Sequence, residues 1–253
     1  MLERVIRLSF LGFILLLGIG CASTSEDDPT EGMAVAEIYE EASAMLQSGD
    51  YERAILLYER LESRFPYGKY AERAQMEIAY AYYKDSEPES AIVAANRFIK
   101  LHPNHDNVDY MFYLRGLASY DLSESFLDSL FNVDPSQHDP KSARRSFEYF
   151  AELLKKYPKS RYSKDALQRM TLIRNNLAVY EVHVADYYMR RGAYLAAANR
   201  GKYVVVNYKR TPAVADALAI MVTAYGKLGM ADLASDSKSV LEKNYPDHKS
   251  LKK

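Results

Sequence analysis

The chain has 253 residues, 48% of them hydrophobic and 26% charged, with a formal net charge of -1. That length accommodates one or two domains, and the near-neutral charge excludes the chain-wide basic field used to bind nucleic acid. The single cysteine, Cys21, excludes an internal disulfide and any cysteine-based zinc site.

Residues 1–20 read as a signal segment. Arg4 and Arg7 form a positive start, and Leu8–Gly20 is an apolar run of 13 residues, short for a bilayer span and suited to a signal core. The run ends in Gly18-Ile19-Gly20-Cys21, which resembles the lipobox of bacterial lipoproteins. Gly18 departs from the usual leucine, and Leu17 sits one place earlier. The resemblance implies cleavage before Cys21 and acylation of Cys21. Ala22, rather than Asp, follows, which by the same resemblance implies sorting to the outer membrane. An ordinary signal peptide cut nearby is the other reading. Residues 21–33 then read as the acylated cysteine and a small, polar, acidic tether.

From residue 34 onward the apolar spacing predicts paired amphipathic helices and no sheet. The first pair is Ala34–Gln47, with Ile38, Ala42, Met45 and Leu46 inward, and Asp50–Arg64, with Ala54, Leu57, Tyr58 and Leu61 inward. The second is Tyr70–Lys84 and Pro88–Leu101. The third is Asn107–Asp121 and a helix from Asp139-Pro140 to Lys156. Between these two, residues 122–138 form an insertion whose Phe126, Leu127, Leu130, Phe131 and Val133 predict a short helix packed on its own pair. Ser163–Arg190 reads as one long helix or two abutting ones, with Leu167, Met170, Leu172 and Ile173 inward in its first half. Leu177, Val184, Ala185 and Tyr188 serve the second half. Ala193–Tyr208, Thr211–Leu228 and Ala231–Asn244 follow, and residues 247–253 form a tail of which Lys249–Lys253 read as frayed.

The second helices end at Pro66, Pro103, Pro158, Lys209 and Pro246, which lie 37, 55, 51 and 37 residues apart. This is a unit of roughly 34–37 residues with two insertions, the period of a helix-turn-helix solenoid. Small residues recur where paired helices must approach: Ala42 and Ala54, Ala79 and Ala91, Gly116, Ala185 and Ala197. With Gly49, Tyr51, Tyr58, Tyr82, Gly192, Tyr194, Tyr225, Gly229 and Ala234, these positions resemble the tetratricopeptide repeat (TPR). The expected fold is all-α, a right-handed α-solenoid of five TPR units, with Ser146 making the third the most divergent.

Catalytic motifs are missing. There is no glycine-rich phosphate loop, GxSxG or HExxH, and acids alternate with Lys and Arg along helix faces. His102 and His105, beside Asp106, read as a solvated turn rather than a metal site. The sequence is read as non-enzymatic, with no cofactor and no metal. In a TPR stack the first helix of each pair lines the concave face. The lining places hold Tyr39 and Leu46 in the first repeat, and Arg73, Met76, Tyr80, Tyr83 and Lys84 in the second. In the third they hold Tyr110, Tyr113, Leu117 and Tyr120. An aromatic groove with cations suits an extended peptide with aromatic side chains and a free carboxylate. Packing between repeats is the other use open to these tyrosines.

The stretches RFPYGKY (64–70), AYYK (81–84), RFIKLHPNHDNVDYMFYLRGL (97–117), FNVDPSQHDP (131–140) and YYMRRGAYLAAANR (187–200) resemble the BamD (YfiO-like) family. Its members are TPR lipoproteins of the outer-membrane β-barrel assembly (BAM) complex. The resemblance implies a protein lipid-anchored on the periplasmic face of the outer membrane. Its implied partners are the POTRA domains of BamA, the other BAM lipoproteins, and the C-terminal signals of unfolded β-barrel precursors. On that reading residues 34–106 form the substrate-reading half, residues 107–160 the third repeat, and residues 161–246 the BamA-binding half. Arg200, at the family's Asn-Arg, is the expected BamA contact. The competing reading is a TPR scaffold lipoprotein of another envelope complex, in pilus or cell-wall machinery.

Overall fold

The protein, in a computed structural model that describes residues 28–129 and 140–252, is a row of antiparallel helix pairs. In chain order the helices are α1 (Val35–Ser48), α2 (Tyr51–Arg64), α3 (Lys69–Lys84), α4 (Pro88–Leu101), α5 (Val108–Ser129) and α6 (Lys141–Lys156). After them come α7 (Ser163–Arg190), α8 (Tyr194–Asn207), α9 (Ala213–Lys227), α10 (Ala231–Asn244) and a 3-10 turn over Lys249–Leu251. No strand occurs among the described residues, and none of their helices is long and apolar enough to cross a membrane. Each helix packs on its neighbours in sequence. In addition α1 touches α3, α3 touches α5 and α7 touches α9, so the first helices of successive pairs line one face. This is the all-α TPR solenoid expected from the repeats.

Two local devices repeat. Gly49, Gly192 and Gly229 turn the chain between the helices of a pair with φ between 72° and 87°, a region that costs glycine nothing. The second pair has Ser86 in the same role at φ 62°. At the far ends, Phe65, His102, Tyr157, Tyr208 and Tyr245 cap the second helices with nearly the same dihedral angles. Each backbone N–H bonds to the residue four back. Tyr208 does so without the proline that follows the cap residue in the other four repeats.

The close-contact residues are where the packing needs them. Ala42, Ala54, Ala79, Ala91, Ala185 and Ala197 are fully buried. In the third pair the face of Gly116 lies directly under the Phe150 ring. Ser146 donates its hydroxyl to the Gly116 carbonyl at 2.9 Å, so a buried polar group is satisfied where alanine was expected.

Two expectations about the helices change, and one that the sequence left open is resolved. The helix expected to end at Asp121 runs on to Ser129, continuous with its pair rather than forming a separate short helix. Leu130, Phe131 and Val133, with the rest of residues 130–138, lie outside the described residues, as do the side chains of Phe126 and Leu127, Cys21 and the signal segment. Leu167 and Leu172 are exposed, at 57% and 47%. The stripe that α7 buries is Ala166, Met170, Ile173 and Leu177, so Met170, Ile173 and Leu177 face inward as expected and the small Ala166 takes the place of Leu167. Ser163–Arg190 is one continuous helix of 28 residues.

Both ends of the described chain are docked. Residues 28–33, read as tether, form turns in which Asp28 accepts from the Thr30 hydroxyl at 2.7 Å. Buried Thr30 in turn accepts from Arg64 of α2. At the other end, His248 hydrogen-bonds Asp216 of α9 at 3.1 Å and Leu251 packs on the core, so the tail does not fray there.

Candidate functional site

The face lined by α1, α3, α5 and the start of α7 carries the candidate groove. At its N-terminal end is a pocket of about 670 Å³ between α1, α3 and the 104–107 loop. Tyr39, Lys69, Arg73, Met76, Glu77 and His105 are among its walls. The Tyr39 ring is set by two neighbours, Tyr58 at 5.7 Å and Tyr70 at 5.4 Å. Arg73 is exposed, and Glu77 has no hydrogen bond or ion pair among the described residues. Burial pushes the Glu77 carboxyl above its ordinary range, with the Arg73 charge opposing.

Further along, Tyr80, Tyr83 and Tyr110 are half-buried against the Ala79–Phe98–Met111–Leu114 cluster. Tyr113 is more constrained. It stacks on Tyr162 at 4.7 Å, and its hydroxyl donates to Asp165 at 2.6 Å. Asp165 is also held by Arg169 at 2.7 Å. Burial would push the Asp165 carboxyl up, but the hydrogen bonds from Tyr113 and Arg169 outweigh it and hold it below its ordinary value. Burial, aided by Asp121, pushes the Tyr83 phenol up to about 12, and burial with the Asp165 hydrogen bond does the same for Tyr113. Tyr83 and Tyr113 therefore stay neutral at physiological pH and act as apolar walls with hydroxyl handles.

The expected groove residues thus divide. Tyr39 and Arg73 share the end pocket, and Tyr80, Tyr83, Tyr110 and Tyr113 form the aromatic floor beyond it. Lys84 stands exposed at the C-terminal end of α3, outside that pocket. Tyr120 is buried. The cation at mid-groove is Arg169, which lies 5.1 Å from the Tyr120 ring and whose charge reaches Tyr83 and Tyr113. The sequence reading missed Tyr70, Glu77, Tyr162, Asp165 and Arg169. The Asp165/Arg169 spacing of four, on the first helix of the fourth repeat, was the available signal.

His102 hydrogen-bonds Gln75 at 2.8 Å and His105 sets its ring edge-on to Phe98. Among the described residues no cluster of three or more metal-ligating side chains forms.

Arg200, on α8, donates to Glu181 at 2.8 Å while its side chain stays 44% exposed. It is paired on its inner side and open on its outer side.

The family model described as YfiO, outer membrane lipoprotein, matches residues 31–241. A protein of Neisseria meningitidis serogroup A, named outer membrane protein assembly factor BamD, is 46% identical over 217 residues, covering 86% of this chain and 81% of that one. A Vibrio cholerae serotype O1 protein of the same name is 36% identical over 230 residues, covering 91% and 95%. Among solved structures, the type IV pilus biogenesis factor PilW aligns over 86% of this chain and 96% of its own, at 15% identity and a TM-score of 0.37.

Proposed function

The chain belongs to the YfiO family of outer membrane lipoproteins, and from that premise we propose that it is an outer membrane protein assembly factor of the BAM complex. It works as a non-catalytic adaptor, held at the periplasmic face of the outer membrane through acylated Cys21. Its N-terminal repeats receive the aromatic-ended C-terminal signals of unfolded β-barrel precursors. Its C-terminal repeats hold the POTRA domains of BamA through Arg200.

The observation that carries this reading is the identity of close to half with an assembly factor over 86% of the chain. The groove supports it physically. Pre-ordered tyrosines bind an extended peptide at low entropic cost, and Arg73 and Lys69, which share the end pocket with Glu72, Glu77 and Asp106, are the cations there for a terminal carboxylate. A solenoid suits a two-partner task because each repeat touches only its neighbours, so the two ends bind independently.

The test is a detergent pull-down of the Cys21-acylated protein from membranes, with co-purifying chains identified by mass spectrometry. A POTRA-bearing barrel protein in near-equal amount is expected. Its absence, with a pilus or peptidoglycan partner in its place, would refute the assignment.

A further inference from the structure

Away from the groove, α6, α7 and α8 meet around one carboxylate. Glu181 is 1% exposed, and it accepts from Arg144 at 3.3 Å and from Arg200 at 2.8 Å. The Arg144 and Arg200 side chains are themselves 45% and 44% exposed. A buried carboxylate persists only when paired, and here it has two cations. The trio therefore presents one unneutralised positive charge at the surface.

Beside Arg144 the same three helices enclose a second cavity, of about 250 Å³, walled by Phe147, Leu177, Tyr203 and Tyr208. The Tyr203 ring stands edge-on to Tyr208 at 5.8 Å, which stiffens the mouth. Arg174 lines the cavity too, and its Nε is buried with no acceptor among the described residues. That Nε is shielded from the surface, so a ligand can meet Arg174 only at the exposed part of its side chain. Counted together with the trio, Arg144, Arg174 and Arg200 stand against two carboxylates, Glu148 and buried Glu181, which leaves the region around the cavity one positive charge.

We propose that this cavity is a docking site for an extended segment of a protein partner, which inserts an aromatic or large aliphatic side chain beside an acidic residue. The apolar side chain fills the space between Phe147, Leu177 and Tyr203. The neighbouring carboxylate meets Arg144 and Arg174, the two cations of the rim. The proposal deepens the Arg200 reading, since Arg144 and Arg200 share Glu181, and it rests on that reading only for which partner is bound.

The test titrates the detergent-purified full chain with three blocked hexapeptides, followed by ligand-observed NMR. One carries adjacent phenylalanine and glutamate, one replaces the glutamate by glutamine, and one replaces the phenylalanine by alanine. The phenylalanine–glutamate peptide is expected to bind about tenfold more tightly than either other, the scale of one charge-assisted hydrogen bond or one buried side chain. Arg174→Gln should erase the preference for glutamate, and Tyr203→Ser the preference for phenylalanine, each with an unchanged unfolding midpoint. Equal affinity for all three peptides, or preferences that survive both substitutions, would overturn the docking site. That result beside an intact pull-down would leave the proposed function standing. Peptide selectivity without the barrel protein in the pull-down would refute the function and keep the site.

Discussion

Replacing Gly116 by valine tests the close approach on which the middle of the solenoid depends. A Cβ at this position would lie 2.5 Å from one Phe150 ring carbon and 2.7 Å from the next, where ordinary contact begins at 3.4 Å. The ring must retreat by roughly 0.9 Å, yet Phe150 is fully buried and leans on Tyr113 at 5.9 Å. Overpacking of this kind costs about 1–3 kcal/mol, and leaving glycine in a helix returns roughly 0.5 kcal/mol with valine or 1 kcal/mol with alanine. The net loss expected is roughly 2 kcal/mol for Gly116→Val and about 1 kcal/mol for Gly116→Ala, measured by urea unfolding followed by circular dichroism. Adding Phe150→Leu to Gly116→Val should recover about 1 kcal/mol relative to additivity, because the smaller side chain vacates the contested space. Both glycine variants within about 0.5 kcal/mol of the parent, or strict additivity in the double variant, would refute the packing argument.

The other predictions concern the two sites. Glu77 keeps a proton in the folded state that the unfolded chain has lost above about pH 4.5, so it makes the fold less stable as pH rises through its raised folded value. Glu77→Gln should raise the thermal unfolding midpoint at neutral pH and leave it unchanged below about pH 4.5, where the carboxyl is protonated in both states; a variant no more stable at neutral pH would contradict the sign. Asp165 acts oppositely. Its contribution is present at neutral pH and is lost only as pH falls below about 3.8, so Asp165→Asn should lower the midpoint at neutral pH and match the parent in acid. Tyr80→Ala combined with Tyr83→Ala should weaken binding of a barrel C-terminal peptide about tenfold, and an unaltered Kd counts against the groove. Arg200→Glu and Arg200→Gln should both reduce recovery of the barrel partner. The unfolding midpoint should fall mainly with glutamate, which sets a second carboxylate against buried Glu181; full recovery with both would sink the contact.

Helix ends were legible where the chain punctuates itself. Asp50 accepts from the Arg53 amide as an N-cap, Pro88 opens its helix at the first position, and Gly49 closes α1 in the left-handed region. The end of α5 carries no such mark. Between Gly116 and Pro135 there is no glycine or proline, and nothing local stops the helix at Asp121. The same lack of breakers makes Ser163–Arg190 continuous. In the groove, the repeat register found the tyrosines that face it. It could not find Tyr113's bond to Asp165, 52 residues away, or the Arg144–Glu181–Arg200 trio, whose members are 37 and 19 residues apart. Such pairs are set by how helices cross, and helix crossing is invisible in a linear pattern.

The unbroken α7 is also a ruler. At 1.5 Å per residue, the 16 steps from Asp165 to Glu181 fix the groove and the arginine pair roughly 24 Å apart along one rigid rod. A hinge at that place would let two bound chains drift relative to each other. A helix without that hinge keeps the two sites at one separation, so under the proposed function a segment seated in the groove would be presented to the second partner in one pose. Introducing a kink near Asn175 would leave each grip intact and alter only the geometry between them.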